Sequence, residues 1–75
     1  MVNIGKMIRF HRKKAKITQL ELSKLSGVGK TSVFDIEKGK ETVKIETLIA
    51  VLKALNIRMK FEGPLMQKFE EYEKS

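Results

Sequence analysis

The sequence predicts a mainly α domain of four to five helices with one β-strand near its C-terminus. Three observations carry that expectation. Apolar residues recur at intervals of three and four between Ile4 and Leu55, the period of a buried helix face. Gly27, Gly29 and Gly39 interrupt the pattern where the chain must change direction. From Ile57 the period falls to two, until Gly63-Pro64 stops it.

A chain of 75 residues makes one domain with a small core. With no cysteine and one histidine, a disulfide framework and an ordinary zinc site are both excluded, and no cofactor or metal is expected. Such a domain often gains stability by pairing, so a homodimer is expected. No apolar run approaches the length of a membrane span, and MVNIGKMIRF lacks the long apolar core of a signal peptide. A cytoplasmic protein with no membrane partner is expected.

The formal charge is +7, from 16 Lys and Arg against 9 Asp and Glu. Its distribution says more than its sum. Residues 1–16 hold Lys6, Arg9, Arg12, Lys13, Lys14 and Lys16 with no acid, whereas residues 63–75 are slightly acidic. A basic body with an acidic tail suits a polyanion on one face and another partner at the far end.

The first helix is expected over about 3–15, with Asn3 as its N-cap. Ile4, Met7, Ile8, His11 and Ala15 form its inner stripe, with His11 partly buried and structural, and Phe10 outside the stripe. The basic residues that close it suit the negative end of the helix dipole. Thr18 and Glu21 have the spacing of a capping box, so a second helix begins at Gln19 and runs to Ser26. Gly27 supplies the left-handed terminator.

A third helix starts near Gly29 or Lys30 and ends at Gly39. Leu22, Leu25, Val28, Val33 and Ile36 give the second and third helices their inward faces. Lys30, Thr31, Phe34 and Asp35 then point outward. Two helices hinged on a glycine turn, in a basic chain, have the sequence shape of a DNA-binding helix-turn-helix.

A fourth helix over 45–56 carries Ile45, Leu48, Ile49, Leu52 and Leu55 inward and is closed by Asn56. In 57–62, Ile57, Met59 and Phe61 alternate with Arg58, Lys60 and Glu62, the pattern of a half-buried strand. No second strand is legible. A lone strand leaves both backbone edges unpaired, so its simplest partner is the same strand in a second copy. The tail, 64–75, carries Leu65, Met66, Phe69 and Tyr72 near helical spacing. It is either a short amphipathic helix or a segment that orders on a partner.

Enzyme classes fail for lack of parts. The sequence has no Cys/His pair and no clustered carboxylates at metal spacing. Gly27-x-Gly29-Lys30-Thr31 lacks the upstream glycine and the preceding strand of a phosphate loop.

The stretch ITQLELSKLSGVGKTSVFDIEKGKETVKIETLIAVLKALNI resembles the lambda-repressor/Cro-like (Xre-type) helix-turn-helix family. Thr18-Gln19, Leu22, Ser23, Gly27-Val28, Ser32-Val33, Ile36-Glu37-x-Gly39 and Leu48 through Leu55 match without a gap, and the likeness covers 4 to about 57. With the strand and tail added, the chain is similar to the HipB-like antitoxins, which dimerise through a C-terminal strand, repress their own operon and bind a HipA-type kinase toxin. The domain so implied is 1–63, with dimerisation through Ile57, Met59 and Phe61, followed by the tail.

The resemblance implies an internal ion pair between Arg12 and Glu37, which removes both from DNA reading. It places Lys30, Thr31, Phe34 and Asp35 in the major groove. Lys30 suits guanine acceptors, and Thr31 suits a hydrogen bond or a thymine methyl. Phe34 suits a thymine methyl. Asp35 departs from the amides common there: it either accepts from cytosine N4 or orients Lys30 or Lys38. Gln19, Gly29, Ser32, Lys38, Lys40 and Lys44 are the expected phosphate contacts. Lys44 also departs from the usual Ser or Thr, so the fourth helix is expected to start less sharply. The implied partners are a palindromic DNA operator, a second copy and a HipA-type kinase. The alternative is a regulator with no toxin.

Overall fold

The computed structural model describes residues 3–74, and within them five helices follow one another: α1 (Ile4–Lys14), α2 (Gln19–Ser26), α3 (Lys30–Lys38), α4 (Ile45–Ala54) and α5 (Met66–Lys74). Ser75, part of the expected tail, lies outside the described residues. Each start has a local cause. The Asn3 side chain accepts from the Lys6 amide at 2.9 Å, and Thr18 and Glu21 satisfy each other's backbone amides across a complete capping box. The α2 and α3 ends fall on Gly27 (φ 77°) and Gly39 (φ 92°), in left-handed geometry that glycine adopts without a steric penalty. Asn56 (φ 59°) closes α4 in the same region. As expected, α4 starts on Lys44 with no side-chain cap.

The core is one cluster: Ile8, Leu22, Val33 and Val51 are wholly buried, with Ile36 and Leu52 nearly so. Each such side chain contributes roughly 1.5–3 kcal/mol of burial. Met7, Ile17, Val28, Leu48, Leu55 and Ile57 pack around it.

The inner faces of α1 and α2 are rotated from the expected stripes. On α1 the buried positions are Gly5, Ile8 and Arg12, while Ile4, His11 and Ala15 are exposed. His11 is therefore not a partly buried histidine; its ring Nδ1 meets the Met7 carbonyl at 2.7 Å on the surface. The reason is a close crossing. A Cβ at Gly5 would overlap the Ile36 carbonyl and stand 2.9 Å from that of Glu37, so the α3 backbone lies directly on α1.

On α2 the inward residues are Gln19, Leu22, Ser23 and Ser26, at helical spacing, and Leu25 is 65% exposed. The two serines can face inward because their hydroxyls donate to backbone carbonyls: Ser23 to Val28 at 2.6 Å, Ser26 to Leu22 at 2.7 Å. On α4, Val51 takes the buried place and Ile45 at the helix start is exposed.

The strand expected over 57–62 is absent among the described residues. The Ile57 amide donates to Leu52 O at 2.9 Å, extending the α4 cap, and Met59 and Phe61 are exposed. A strand needs a partner for its backbone groups, and the described residues of one copy offer none. The tail is helical, and α5 buries no residue. The radius of gyration is 14.5 Å, with extents of 43 × 24 × 23 Å. A compact chain of this length has about 11 Å.

Candidate nucleic-acid interface

The site begins at the α2–α3 turn. Ser23, donating to Val28 O, ties the turn to α2, and Gly27 lets the chain reverse. Gly29 is the α3 N-cap, with extended backbone and no side-chain cap bond. The first amides of α3 are thus left to an outside acceptor, at the positive end of the helix dipole.

Val33 and Ile36 fix the rotation of α3 by entering the core. That turns Lys30, Thr31 and Phe34 to solvent, with Phe34 45% exposed, while Ser32 and Asp35 are half-buried at its flank. The outward set expected from the sequence therefore shares one helix, but Asp35 sits at its edge. Its carboxylate meets Lys40 Nζ at 3.5 Å, a partner other than the expected Lys30 or Lys38. The Lys38 ammonium lies over the Phe34 ring, 5.1 Å from its centroid, giving the apolar ring a cationic rim.

Beneath α3 lies the Arg12–Glu37 pair. Arg12 Nε donates to Glu37 Oε2 at 2.7 Å and Nη2 to Oε1 at 2.9 Å, while Nη1 donates to the Ile17 carbonyl at 3.0 Å. The two side chains are 11% and 3% exposed. Burial works to raise the Glu37 carboxyl. Hydrogen bonds from Arg12 and Gln19, with the charges of Arg12 and Arg9, outweigh it and hold the group below its ordinary value. The hydrogen bond to Glu37 raises Arg12 in turn. This fork joins α1 to the end of α3 and commits the two charged groups to each other.

Gln19 shares in the fork. Its amide Nε2 donates to Glu37 Oε1 at 3.3 Å, so one of its two amide hydrogens is committed inward. The remaining expected residues fall around two clefts. Gln19, Phe34 and Lys38 line one with Arg9. Ser32, Asp35, Lys40 and Lys44 line another with Thr42 and Thr47. Lys30 and Gln19 also line a shallow third cleft that includes Lys16.

Arg9 and Lys16 are thus part of the site's rim, and sequence reasoning missed them. A signal existed for Arg9: it precedes Arg12 by one helical turn, so a residue that reaches α3 brings its neighbour with it. Lys16 gave none, because its position depends on a left-handed backbone (φ 60°) after α1.

Among the described residues, no group of three or more His, Cys, Asp or Glu is arranged to hold a metal ion, and no helix is long and apolar enough to cross a membrane. A family model described as helix-turn-helix matches residues 8–61. The chain is also 34% identical over 62 residues to an uncharacterised HTH-type transcriptional regulator, y4mF, of Sinorhizobium fredii, an overlap of 83% of this chain and 82% of the relative.

Proposed function

Since the chain belongs to the helix-turn-helix family, we propose that it is a sequence-specific DNA-binding transcriptional repressor acting as a homodimer. One observation supports this most: α3 is locked to α1 by a buried ion pair and turns Lys30, Thr31 and Phe34 outward between basic-rimmed clefts. The rigid half places the exposed half.

In this reading α3 enters the major groove. Lys30 donates to guanine acceptors, while Thr31 and Phe34 meet thymine methyls. Gln19, the Gly29–Ser32 start of α3, Lys38, Lys40 and Lys44 hold phosphates and set the register. Repression follows from occupying the operator; the site performs no chemistry. The second copy pairs through 57–62, where each strand supplies the edge that the other lacks, and the half-sites lie ~34–36 Å apart.

A salt titration of operator affinity tests the proposal. With three lysine–phosphate contacts in each protomer, log K against log salt should fall with a slope of roughly −5. A flat response would sink the DNA reading. A Met59→Pro chain that stayed dimeric by light scattering would sink the pairing segment.

Phe10 and Leu20, 57% and 47% exposed on the helical body, support a second reading that adds a protein partner. The repressor would then be the autoregulating antitoxin of a HipA-type kinase, as in the HipB-like proteins it resembles. Co-purification with a kinase encoded beside it supports that reading. A kinase-free neighbourhood leaves a stand-alone regulator.

A further inference from the structure

We propose that α5 of each protomer docks on the other protomer, in the apolar groove between the C-terminal half of α4 and residues 57–59. The proposal rests on the homodimer reading above and deepens it. The groove is lined by Ile49, Leu52, Ile57 and Met59, with Lys53 and Arg58 on its wall, and encloses about 340 Å³. None of the other described residues fills it.

α5 supplies a matching surface. Met66, Phe69 and Tyr72 recur every third residue along one side of the helix, with Phe69 50% and Tyr72 77% exposed. Glu70 and Glu73 run beside that stripe, so an acidic edge meets Lys53 on the α4 wall of the groove. A helix of nine residues does not persist alone in water and needs an apolar surface to rest on.

The strand period decides which copy provides that surface. Antiparallel strands keep an apolar face only if odd-numbered residues sit opposite odd-numbered ones, because a shift of one residue turns every side chain over. Centring the pair on Met59 satisfies this: Met59 faces its own copy, and Ile57 faces Phe61 of the other. Each chain then leaves the ribbon beside the other chain's Ile57, at the mouth of the other chain's groove. The five steps from residue 61 to residue 66 span up to about 16 Å, enough to lay α5 there. To reach its own groove, α5 would have to double back past Gly63-Pro64.

The chain contains no cysteine, so introduced cysteines report only the intended contact. A Lys53→Cys chain mixed with a Glu70→Cys chain should, on mild oxidation, give a disulfide joining position 53 of one copy to position 70 of the other, identified by peptide mass. Only like-with-like disulfides, or none, would overturn the exchange. So would a doubly substituted chain that closes 53 to 70 within itself at high dilution.

Light scattering separates the α5 contact from the pairing at 57–62. Phe69→Asp, outside the core, should keep the α1–α4 fold, lose no more helical signal than α5 supplies, and weaken the dimer at least about tenfold. A dimer of unchanged affinity would overturn the α5 contact while leaving the pairing at 57–62 intact. A wild-type chain that stays monomeric would overturn both.

Discussion

Replacing Arg12 with methionine should cost this domain a large share of its stability. The substitution keeps much of the side chain's length and removes three hydrogen bonds: two to Glu37, at 2.7 and 2.9 Å, and one to the Ile17 carbonyl, at 3.0 Å. Glu37, 3% exposed, is left with the Gln19 amide at 3.3 Å as its remaining partner. Removing one partner of a buried pair costs about 3–5 kcal/mol, because the other charge stays desolvated. A chain of this length holds roughly 4–11 kcal/mol in total. The melting temperature should fall by about 12 °C or more. Urea unfolding followed by circular dichroism at 222 nm reads the loss directly. Adding Glu37→Leu removes the stranded charge, so the double variant should recover at least half of it. A single variant within about 1 kcal/mol of wild type would refute the reasoning, since surface pairs are worth no more than that. A double variant as damaged as the single would refute it too.

Other perturbations follow from the same contacts. Gly5→Ala drives a methyl into the α3 backbone carbonyls and should cost about 1–3 kcal/mol, although alanine is the better helix former. An unchanged urea midpoint would contradict the close crossing. In the wild type, Glu37 lies below its ordinary value of 4.5, so its contribution is complete above that pH. That contribution is lost as pH falls through the lower folded value. In Arg12→Met burial dominates the carboxyl, and stability should instead fall as pH rises from about 4.5. Parallel pH profiles for the two proteins would contradict the assignment. Lys40→Ala should weaken binding to all DNA alike and reduce the salt slope by about 2 in a dimer, while freeing the Asp35 carboxylate to repel phosphate. Selective loss on one operator would move Lys40 from phosphate to base.

The helices were legible because their ends carry side-chain chemistry. Asn3, the Thr18–Glu21 box, Gly27 and Gly39 mark the boundaries of α1, α2 and α3 as they stand in the structure. The rotation of α1 and α2 was not legible from hydropathy. Their buried faces include a glycine, an arginine and two serines, residues that enter the core for backbone clearance, a charge partner or a carbonyl, and not for apolar area. The same cause exposed Leu25, Ile4 and His11. On α3 the inner residues are apolar, so its outward set could be named correctly except for Asp35, whose partner lies across the Gly39 turn. Residues 57–62 mark a different limit. Their period describes a face, but a strand also needs an edge to bind, and the described residues of a single copy do not contain it.

The central claim is that the outer face of α3 reads bases. Selection of binding sites from random duplex DNA tests it most directly, run in parallel on the wild type, Lys30→Ala and Thr31→Ala. The account predicts a palindromic site for the wild type, with each variant losing preference at its own position, symmetrically in both half-sites, and each lost contact costing about 1–3 kcal/mol of discrimination. Identical preferences in all three proteins, at unchanged affinity, would contradict it.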